Sequence, residues 1–158
     1  MCGIAGFIGF DIPNEERIAL TLALMEKRGP DARGVYHGRL RDSNICLLHT
    51  RLSIIDTNPR SNQPFKQDDC VLIFNGEIYN YIELRQELEA LGHHFHTASD
   101  TEIIVKAWRQ WERSCVNRFE GMWTLALLDE RSGELFFSRD PFGEKPFYYM
   151  VHERALYF

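Results

Sequence analysis

A cysteine stands directly behind the initiator methionine in the opening sequence MCGIAGFIG. Removal of Met1, which a small side chain at position 2 permits, would leave Cys2 with a thiol and a free α-amine on one Cα. A thiol of ordinary pKa, about 8.5, needs a base before it acts as a nucleophile. An α-amine, with a pKa of about 7.7–8.0, can be that base. We expect a bridging water to carry the proton, because the amine is too close to the sulfur for a linear hydrogen bond.

Three further motifs hold residues with clear chemistry, and each allows a plainer interpretation. Arg51 in HTRLSIID has a guanidinium fork suited to a two-oxygen anion, or it forms a surface ion pair. Asn75 and Gly76 follow an apolar strand. They could donate hydrogen bonds to an oxyanion, or they could form a hairpin turn. Asp100 in SDTE stands where a carboxylate binds a cation, caps a helix, or does both.

Two segments invite a metal or phosphate interpretation that their spacing does not favour. Along a strand, the neighbours His93 and His94 of GHHFHT point to opposite faces, and no Cys/His pair matches them. The sequence therefore predicts no metal site. The GEK of residues 143–145 lacks the spacing of a phosphate-binding loop.

Composition narrows the class of protein. The chain has 158 residues and a formal charge of −5 that forms no basic patch, which argues against a nucleic-acid partner. No apolar run approaches the length of a membrane span, and no signal peptide opens the chain, so we predict a cytoplasmic protein. Four widely spaced cysteines do not indicate a disulfide framework, and we expect Cys46 and Cys70 to be buried as free thiols.

The first half of the chain predicts one helix among strands. Ile18, Leu22 and Met25 recur at helical spacing behind a candidate cap at Asn14, and RGP ends the pattern. A long polar loop is expected over residues 51–69. Strands are predicted for residues 2–9, 33–38, 44–50 and 70–74.

A second helix is predicted in NYIELRQELEALG. Asn80 and Glu83 have the spacing of a capping box, and Gly92 stands where a C-terminal glycine belongs. The expected buried face comprises Leu84, Leu88 and Leu91.

A third helix is predicted in DTEIIVKAWRQW behind a capping box of Ser99 and Glu102, with Ile104, Trp108 and Trp111 on one face. Strands follow over residues 122–128, 134–139, 147–151 and 155–158. Seven or eight strands, often consecutive, with three inserted helices indicate an α+β fold with antiparallel sheets. Because the strand signal is still running at the last residue, we expect the domain of residues 1–158 to be incomplete at its C-terminus.

Seven motifs along the whole chain carry a family resemblance. In order they are CGI, RGPDARG, HTRLSIID, FNGEIYNY, SDTE, FEGMWTLAL and RDPFGEKPFYY. Together they resemble the glutaminase domain of glutamine-dependent asparagine synthetases, which are class II glutamine amidotransferases of the N-terminal-nucleophile hydrolase fold. The resemblance implies a four-layer αββα sandwich of two antiparallel sheets. Lys27 departs from it, since histidine is frequent before RGPD, and we expect a changed loop contact there.

The resemblance also implies a role for each candidate residue. Cys2 is the nucleophile, and the Asn75 side chain and the Gly76 N–H form the oxyanion hole. Asp100, assisted by Glu77, holds the substrate ammonium. A chain segment lines the substrate, and its arginine binds the carboxylate: Arg51, Leu52, Ser53, Ile54 and Ile55.

The implied reaction is hydrolysis of glutamine to glutamate and ammonia through a γ-glutamyl thioester on Cys2. Ammonia would pass to an ATP-dependent synthetase domain in cis, which these residues do not contain. ATP and Mg²⁺ belong to that domain, no cofactor is expected in this one, and a homodimer is allowed. Three alternatives stay open: a different ammonia acceptor, a non-catalytic binding or docking module of the same fold, and a hydrolase of another amide.

Overall fold

Two antiparallel sheets form the framework of the chain, of which the computed structural model describes all residues, 1–158. The strands are β1 (Gly3–Gly9), β2 (Ala32–Leu40), β3 (Ser43–Arg51), β4 (Phe65–Gln67), β5 (Cys70–Ile78), β6 (Gly121–Asp129), β7 (Glu134–Arg139), β8 (Met150–His152) and β9 (Ala155–Tyr157). The first sheet has the order β2-β3-β1-β9-β8, and the second has the order β4-β5-β6-β7.

Helices cover the outer faces of both sheets. The α-helices are α1 (Glu15–Met25), α2 (Tyr81–Ala90) and α3 (Asp100–Trp111), and the short 3-10 helices are Glu26–Arg28, Pro59–Ser61 and Glu112–Arg118. Helix α1 packs on the first sheet, whereas α2 and α3 pack on the second. The layers therefore run helix, sheet, sheet, helix, which confirms the predicted α+β sandwich.

The central strands are apolar on both faces because each face packs against another layer. In β3, Cys46 and Leu48 face α1, whereas Ile45 and Leu47 face the second sheet. The layer between the sheets comprises Ile45, Leu47, Val71, Ile73, Ala126 and Leu128. Alternation along a strand thus buries every residue of these runs. The predicted burial of Cys46 and Cys70 is confirmed, with exposed fractions of 1% and 0%.

Two short strands differ from the sequence prediction. The expected polar loop contains β4, whose residues Phe65–Gln67 pair with the start of β5. Its three residues are too few for an alternating pattern to show. The strand expected over 147–151 is present only from Met150 as β8, so the aromatic residues before it lie outside the sheet.

The N-cap of α1 is confirmed, and Asn80 is the N-cap residue of α2, but the side-chain hydrogen bond expected of its capping box is absent. Asn14 accepts a hydrogen bond from the Arg17 N–H, 2.9 Å away. The Asn80 carbonyl oxygen accepts from the Leu84 N–H, but its side chain does not cap the helix, because it bonds the backbone of Arg118 and Glu120. Leu91 was expected on the buried face of α2, but it is 51% exposed, since the helix ends at Ala90 and the chain turns away.

Helix α3 has its predicted cap but a different box partner. Ser99 accepts from the Thr101 N–H, whereas Glu102 accepts from the backbone N–H groups of His96 and Thr97. The strand assumed for GHHFHT is absent, because residues 93–99 form an irregular connection. No group of three or more His, Cys, Asp or Glu side chains is arranged to hold a metal ion. None of the helices is long and apolar enough to cross a membrane.

Candidate active site

A cavity of about 90 Å³ opens where the N-terminus, the end of β3 and the middle of β5 meet. It brings together almost all the residues selected from the sequence. They are Cys2, Arg51, Leu52, Ile54, Ile55, Asn75, Gly76, Glu77 and Asp100. Ser53 lies outside this lining. Met1 also lines the cavity, so its removal would add space directly beside Cys2.

The Cys2 thiol is held by the peptide groups of one residue. The Leu52 N–H donates to Sγ across 3.4 Å, and Sγ lies 3.7 Å from the Leu52 carbonyl oxygen. Burial raises the pKa of this thiol above its ordinary value, and the Leu52 hydrogen bond and the nearby positive charges of the N-terminus and Arg51 oppose that rise. A thiol with a raised pKa depends more strongly on a local base.

The RGPD motif, residues 28–31, contacts the backbone of the nucleophile Cys2 and of the segment that follows β3. The Arg28 guanidinium donates to the Cys2 carbonyl oxygen at 3.0 Å, and the Asp31 carboxylate accepts from the Ser53 N–H at 2.7 Å. Gly29 fits against the backbone of Thr50, where a Cβ would come within 2.3 Å of the carbonyl oxygen. The motif therefore fixes both the first residues and the segment that follows β3. Lys27 is exposed in the preceding 3-10 helix.

Arg51 anchors the loop that closes one side of the cavity. One terminal nitrogen donates to the carbonyl oxygen of Asn58 and the side-chain oxygen of Asn62, at 3.1 and 2.8 Å. The other donates to the carbonyl oxygens of Ile55 and Asp56, at 3.2 and 2.5 Å. With 4% of its surface exposed, the guanidinium is buried by the loop it holds. The chain's own acceptors thus occupy both terminal nitrogens.

The middle of β5 has an open edge at the cavity. The N–H of Phe74 donates to the side chain of Gln63, and the N–H of Ile78 donates to Asp100, so both point away from the neighbouring strand β6. Backbone groups alternate along an antiparallel strand, and Gly76 is midway between these two residues. The Gly76 N–H therefore points to the same open edge, where β4 no longer covers β5.

Asn75 and Gly76 lie inside a strand and not in a hairpin turn, since their pairing with Thr124 and Trp123 continues the register of β5 and β6. The Asn75 side chain is 5% exposed and its buried Oδ1 has no hydrogen-bond partner. A Cβ on Gly76 would come within 2.1 Å of the Met122 carbonyl oxygen, so only glycine fits. The pair supplies a side-chain amide and a free N–H at one place.

Asp100 begins helix α3 and points into the cavity. Its Oδ2 accepts from the Ile78 N–H at 3.2 Å and its Oδ1 from the Ser99 hydroxyl at 3.4 Å. Burial raises the pKa of Asp100 to about 6, with a smaller contribution from the charge of Glu77 and opposition from these hydrogen bonds. No cation of the chain pairs with this carboxylate. At neutral pH it is a buried anion without a counter-ion, which favours a cationic ligand group.

Seven lining residues were not selected from the sequence as site residues: Met1, Gln63, Phe74, Ser99, Thr101, Met122 and Lys145. Phe74, Ser99, Thr101 and Met122 lie within motifs of the family resemblance, and Gln63 lies in the segment expected to be a loop. Lys145 is 5% exposed, and its Nζ lies 2.9 Å from the Met1 sulfur. The carboxylate of Asp140 accepts from the Lys145 N–H, which folds this segment back onto the cavity. A buried lysine in DPFGEKP carries no sequence signal, because lysine is ordinarily exposed.

Comparisons with known proteins show the family of the chain. The family described as "Glutamine amidotransferase domain" matches residues 1–158. Asparagine synthetase [glutamine-hydrolyzing] 1 of Bacillus subtilis is 38% identical over 100% of this chain and 25% of its own length. Amidase chry2 of Gibberella zeae is 34% identical over 99% of this chain and 25% of its own length. The chain thus spans about a quarter of the length of these curated relatives.

A solved structure shares the fold. The glutamine phosphoribosylpyrophosphate amidotransferase of B. subtilis, complexed with ADP and GMP, superposes with a TM-score of 0.75. The match covers 98% of this chain and 41% of that chain at 17% sequence identity. At this level of identity the likeness concerns the arrangement of the layers.

Proposed function

Since the chain belongs to the family of glutamine amidotransferase domains, we propose that it hydrolyses glutamine to glutamate and ammonia through a thioester on Cys2. One observation carries the proposal: a single cavity is lined by a thiol, an asparagine–glycine pair at an open strand edge, and a buried carboxylate without a counter-ion. These are the groups that a nucleophilic attack on the amide of an amino acid requires.

Substrate binding follows from the charges around the cavity. The ammonium of glutamine would pair with Asp100, assisted by Glu77, and the α-carboxylate would lie toward Arg51. Both terminal nitrogens of Arg51 already hold the 55–62 loop, so its contribution includes shaping that loop around the carboxylate. The remaining Nε–H is the donor that the loop does not use.

The chemical step needs the α-amine of Cys2, so the proposal includes removal of Met1. The amine accepts the thiol proton through a water, and the thiolate attacks the side-chain amide carbon. The amide oxygen becomes an oxyanion facing the Asn75 amide and the Gly76 N–H. The carbon–nitrogen bond breaks as the ammonium of Cys2 protonates the leaving nitrogen, and ammonia departs. Water then hydrolyses the thioester, giving glutamate and the free thiol.

The destination of the ammonia lies outside these residues. We propose an ATP-dependent synthetase domain in cis that makes asparagine, because the relatives are about four times longer and the first bears that name. Hydrolysis at Cys2 consumes only water, so ATP and Mg²⁺ are assigned to that partner domain. A hydrolase of another amide is the second candidate, favoured by the similarity to a relative named an amidase. A cytoplasmic location stays a prediction, consistent with a thiol that must remain reduced.

The proposal is tested by the intact mass of the purified protein before and after incubation with a diazo-ketone analogue of glutamine. We expect a mass without Met1 and a single adduct mapped to Cys2, protected by excess glutamine. Glutamine turnover is then followed as released ammonia. An analogue of the same ketone without the α-ammonium is the control and should not label. A protein that retains Met1 and takes no adduct would be a non-catalytic module of this fold.

A further inference from the structure

The backbone of Phe74 lies where no strand covers the edge of β5. Two side chains hold its N–H and its carbonyl oxygen. The Phe74 N–H donates to Oε1 of Gln63 at 2.6 Å. The Phe74 carbonyl oxygen accepts from Nε2 of His49 at 3.2 Å. Gln63 is 6% exposed and His49 is fully buried. Both backbone groups of the residue directly before Asn75 are therefore fixed by side chains from other segments.

Building on the proposed function, we propose that Gln63 and His49 are positioning residues that set the oxyanion-binding groups through the backbone of Phe74. Oxyanion donors act only when they point at the developing charge at hydrogen-bond distance. The donors here belong to the next two residues of the chain, and β4 does not reach them. Pairing with β6 holds the other edge of this segment, and the two side chains supply the hydrogen bonds that hold its open edge.

His49 is suited to a fixed and uncharged role. A carbonyl oxygen only accepts, so Nε2 carries the ring proton and Nδ1 is the bare nitrogen. Burial lowers the pKa of His49 to about 4, against the Phe74 hydrogen bond that raises it. The ring therefore stays neutral at working pH and keeps one tautomer. Nδ1 is buried without a partner, so the contact with Phe74 is the only hydrogen bond that its ring makes.

Gln63 links the two ends of the cavity. Its Nε2 donates to the Thr101 hydroxyl at 3.4 Å, and Thr101 follows the carboxylate of Asp100 in helix α3. Its own backbone is held against β2, because a Cβ on Gly34 would come within 2.0 Å of the Gln63 carbonyl oxygen. One side chain thus joins the strand that carries the oxyanion donors to the helix that carries the ammonium site.

The test compares three variants with the wild-type chain for glutamine hydrolysis. Gln63→Met keeps the length of the side chain but removes the acceptor, His49→Phe removes the donor, and His49→Gln restores a donor. We expect kcat to fall about 10–100-fold in the first two, less than the loss of a whole oxyanion donor, with the KM for glutamine within about threefold. His49→Gln should recover most of kcat.

A matched control separates positioning from general stability. Trp108→Phe removes a buried hydrogen bond to Asp129 at 3.1 Å, on the far face of the same sheet. It should lower the melting temperature without lowering kcat. Unchanged kcat in both Gln63→Met and His49→Phe, or no recovery in a folded His49→Gln, would overturn the inference while wild-type hydrolysis stands. Absence of hydrolysis in the wild-type protein would instead overturn the proposed function. If His49→Phe does not fold, Gln63→Met and His49→Gln still decide.

Discussion

The N–H of Leu52 donates a hydrogen bond to the Cys2 sulfur, 3.4 Å away, and this contact joins the start of the chain to the residue after β3. The same segment begins with Arg51, whose guanidinium holds the loop beyond it. The nucleophile and the loop that surrounds the substrate are therefore parts of one connected unit. A bound substrate would contact both at once, so glutamine binding and thiol placement depend on the same few residues.

Cys2→Ala is expected to abolish glutamine hydrolysis and leave the fold intact. The change removes the sulfur and only two weak contacts with Leu52. Released ammonia and the melting temperature are measured on the same samples. The control Cys46→Ala removes a buried thiol from the face of β3 that packs against α1, so it should cost about 1 kcal/mol of stability and retain activity. Ammonia release by a pure Cys2→Ala sample at the wild-type rate would contradict the mechanism.

Asp100→Asn is expected to stabilise the chain above pH 6. Because the folded pKa, about 6, exceeds the ordinary value, the folded state binds the proton more tightly than the unfolded state. Stability from this group is present below about pH 4 and is lost as the pH rises through 6. The variant escapes that loss, which amounts to at most about 3 kcal/mol. Melting temperatures of the wild type and of Asp100→Asn are measured from pH 4 to 8. The melting temperature of the variant should exceed that of the wild type by an amount that grows with pH.

Asp129 is the control for this prediction, because its effect on stability should change with pH in the opposite direction. Burial works against its ionised form, but hydrogen bonds from Trp108 and Arg109 lower its pKa below the ordinary value. Its contribution to stability is therefore present at neutral pH and lost in acid. Asp129→Asn should be less stable than the wild type at pH 7. If the melting temperatures of the two variants changed with pH in the same way, at least one carboxylate would not titrate as described.

Glutamine binding should weaken as Asp100 takes up a proton. The measurement uses the Cys2→Ala protein, so that neither turnover nor thiol ionisation contributes. Calorimetry between pH 5 and 8 should give a constant Kd above about pH 7 and a rise approaching tenfold per unit below pH 6, because only the carboxylate pairs with the ammonium. Adding Asp100→Asn should remove this dependence and weaken binding by about 10–100-fold at pH 8. A Kd independent of pH would assign the ammonium to another group.

Asn75→Ala is expected to lower kcat by about 100–1,000-fold with little change in KM, because the amide contacts the oxygen only once charge develops there. The side chain is buried and its Oδ1 has no partner, so truncation breaks no hydrogen bond of the folded chain. Steady-state kinetics with glutamine give both constants. Should KM rise and kcat stay constant, Asn75 would be a substrate-binding residue only.

The sequence predicted the layers and the helices well. A strand buried on both faces has a continuous run of apolar residues, and a helix buried on one face has apolar residues at helical spacing. Ile18 and Leu22 illustrate this spacing, and Ile73 belongs to such a run. The sequence placed Asn80 correctly at the start of α2 but not its side chain, which bonds the segment before β6 instead of its own helix. A cap and a tertiary hydrogen bond require the same residue type, so local spacing does not separate them.

Site residues were predictable where the chemistry requires a particular residue type. Residues that reach the site through tertiary packing were not predictable. Cys2 and Asp100 follow from reactivity, together with the family resemblance. Gln63 lies in a predicted loop, and His49 and Lys145 lie within motifs of the family resemblance, but these polar residue types do not indicate that the three side chains are buried. Their positions depend on contacts between segments far apart in sequence, such as that of Gln63 with β5.

Gly76→Ala is expected to destabilise the chain by several kcal/mol and to abolish activity. The added Cβ would lie 2.1 Å from the Met122 carbonyl oxygen and 2.7 Å from the Trp123 Cα, both backbone atoms that cannot move aside within the β5–β6 pairing. Gly92→Ala is the matched control: the new Cβ meets nothing within 4 Å, but the φ of +93° costs about 1 kcal/mol. Urea unfolding and ammonia release measured on both variants should show an inactive, strongly weakened Gly76→Ala and an active, slightly weakened Gly92→Ala. Equal unfolding midpoints would mean that β5 and β6 can separate at this point, and the Gly76 N–H would then not be a fixed donor.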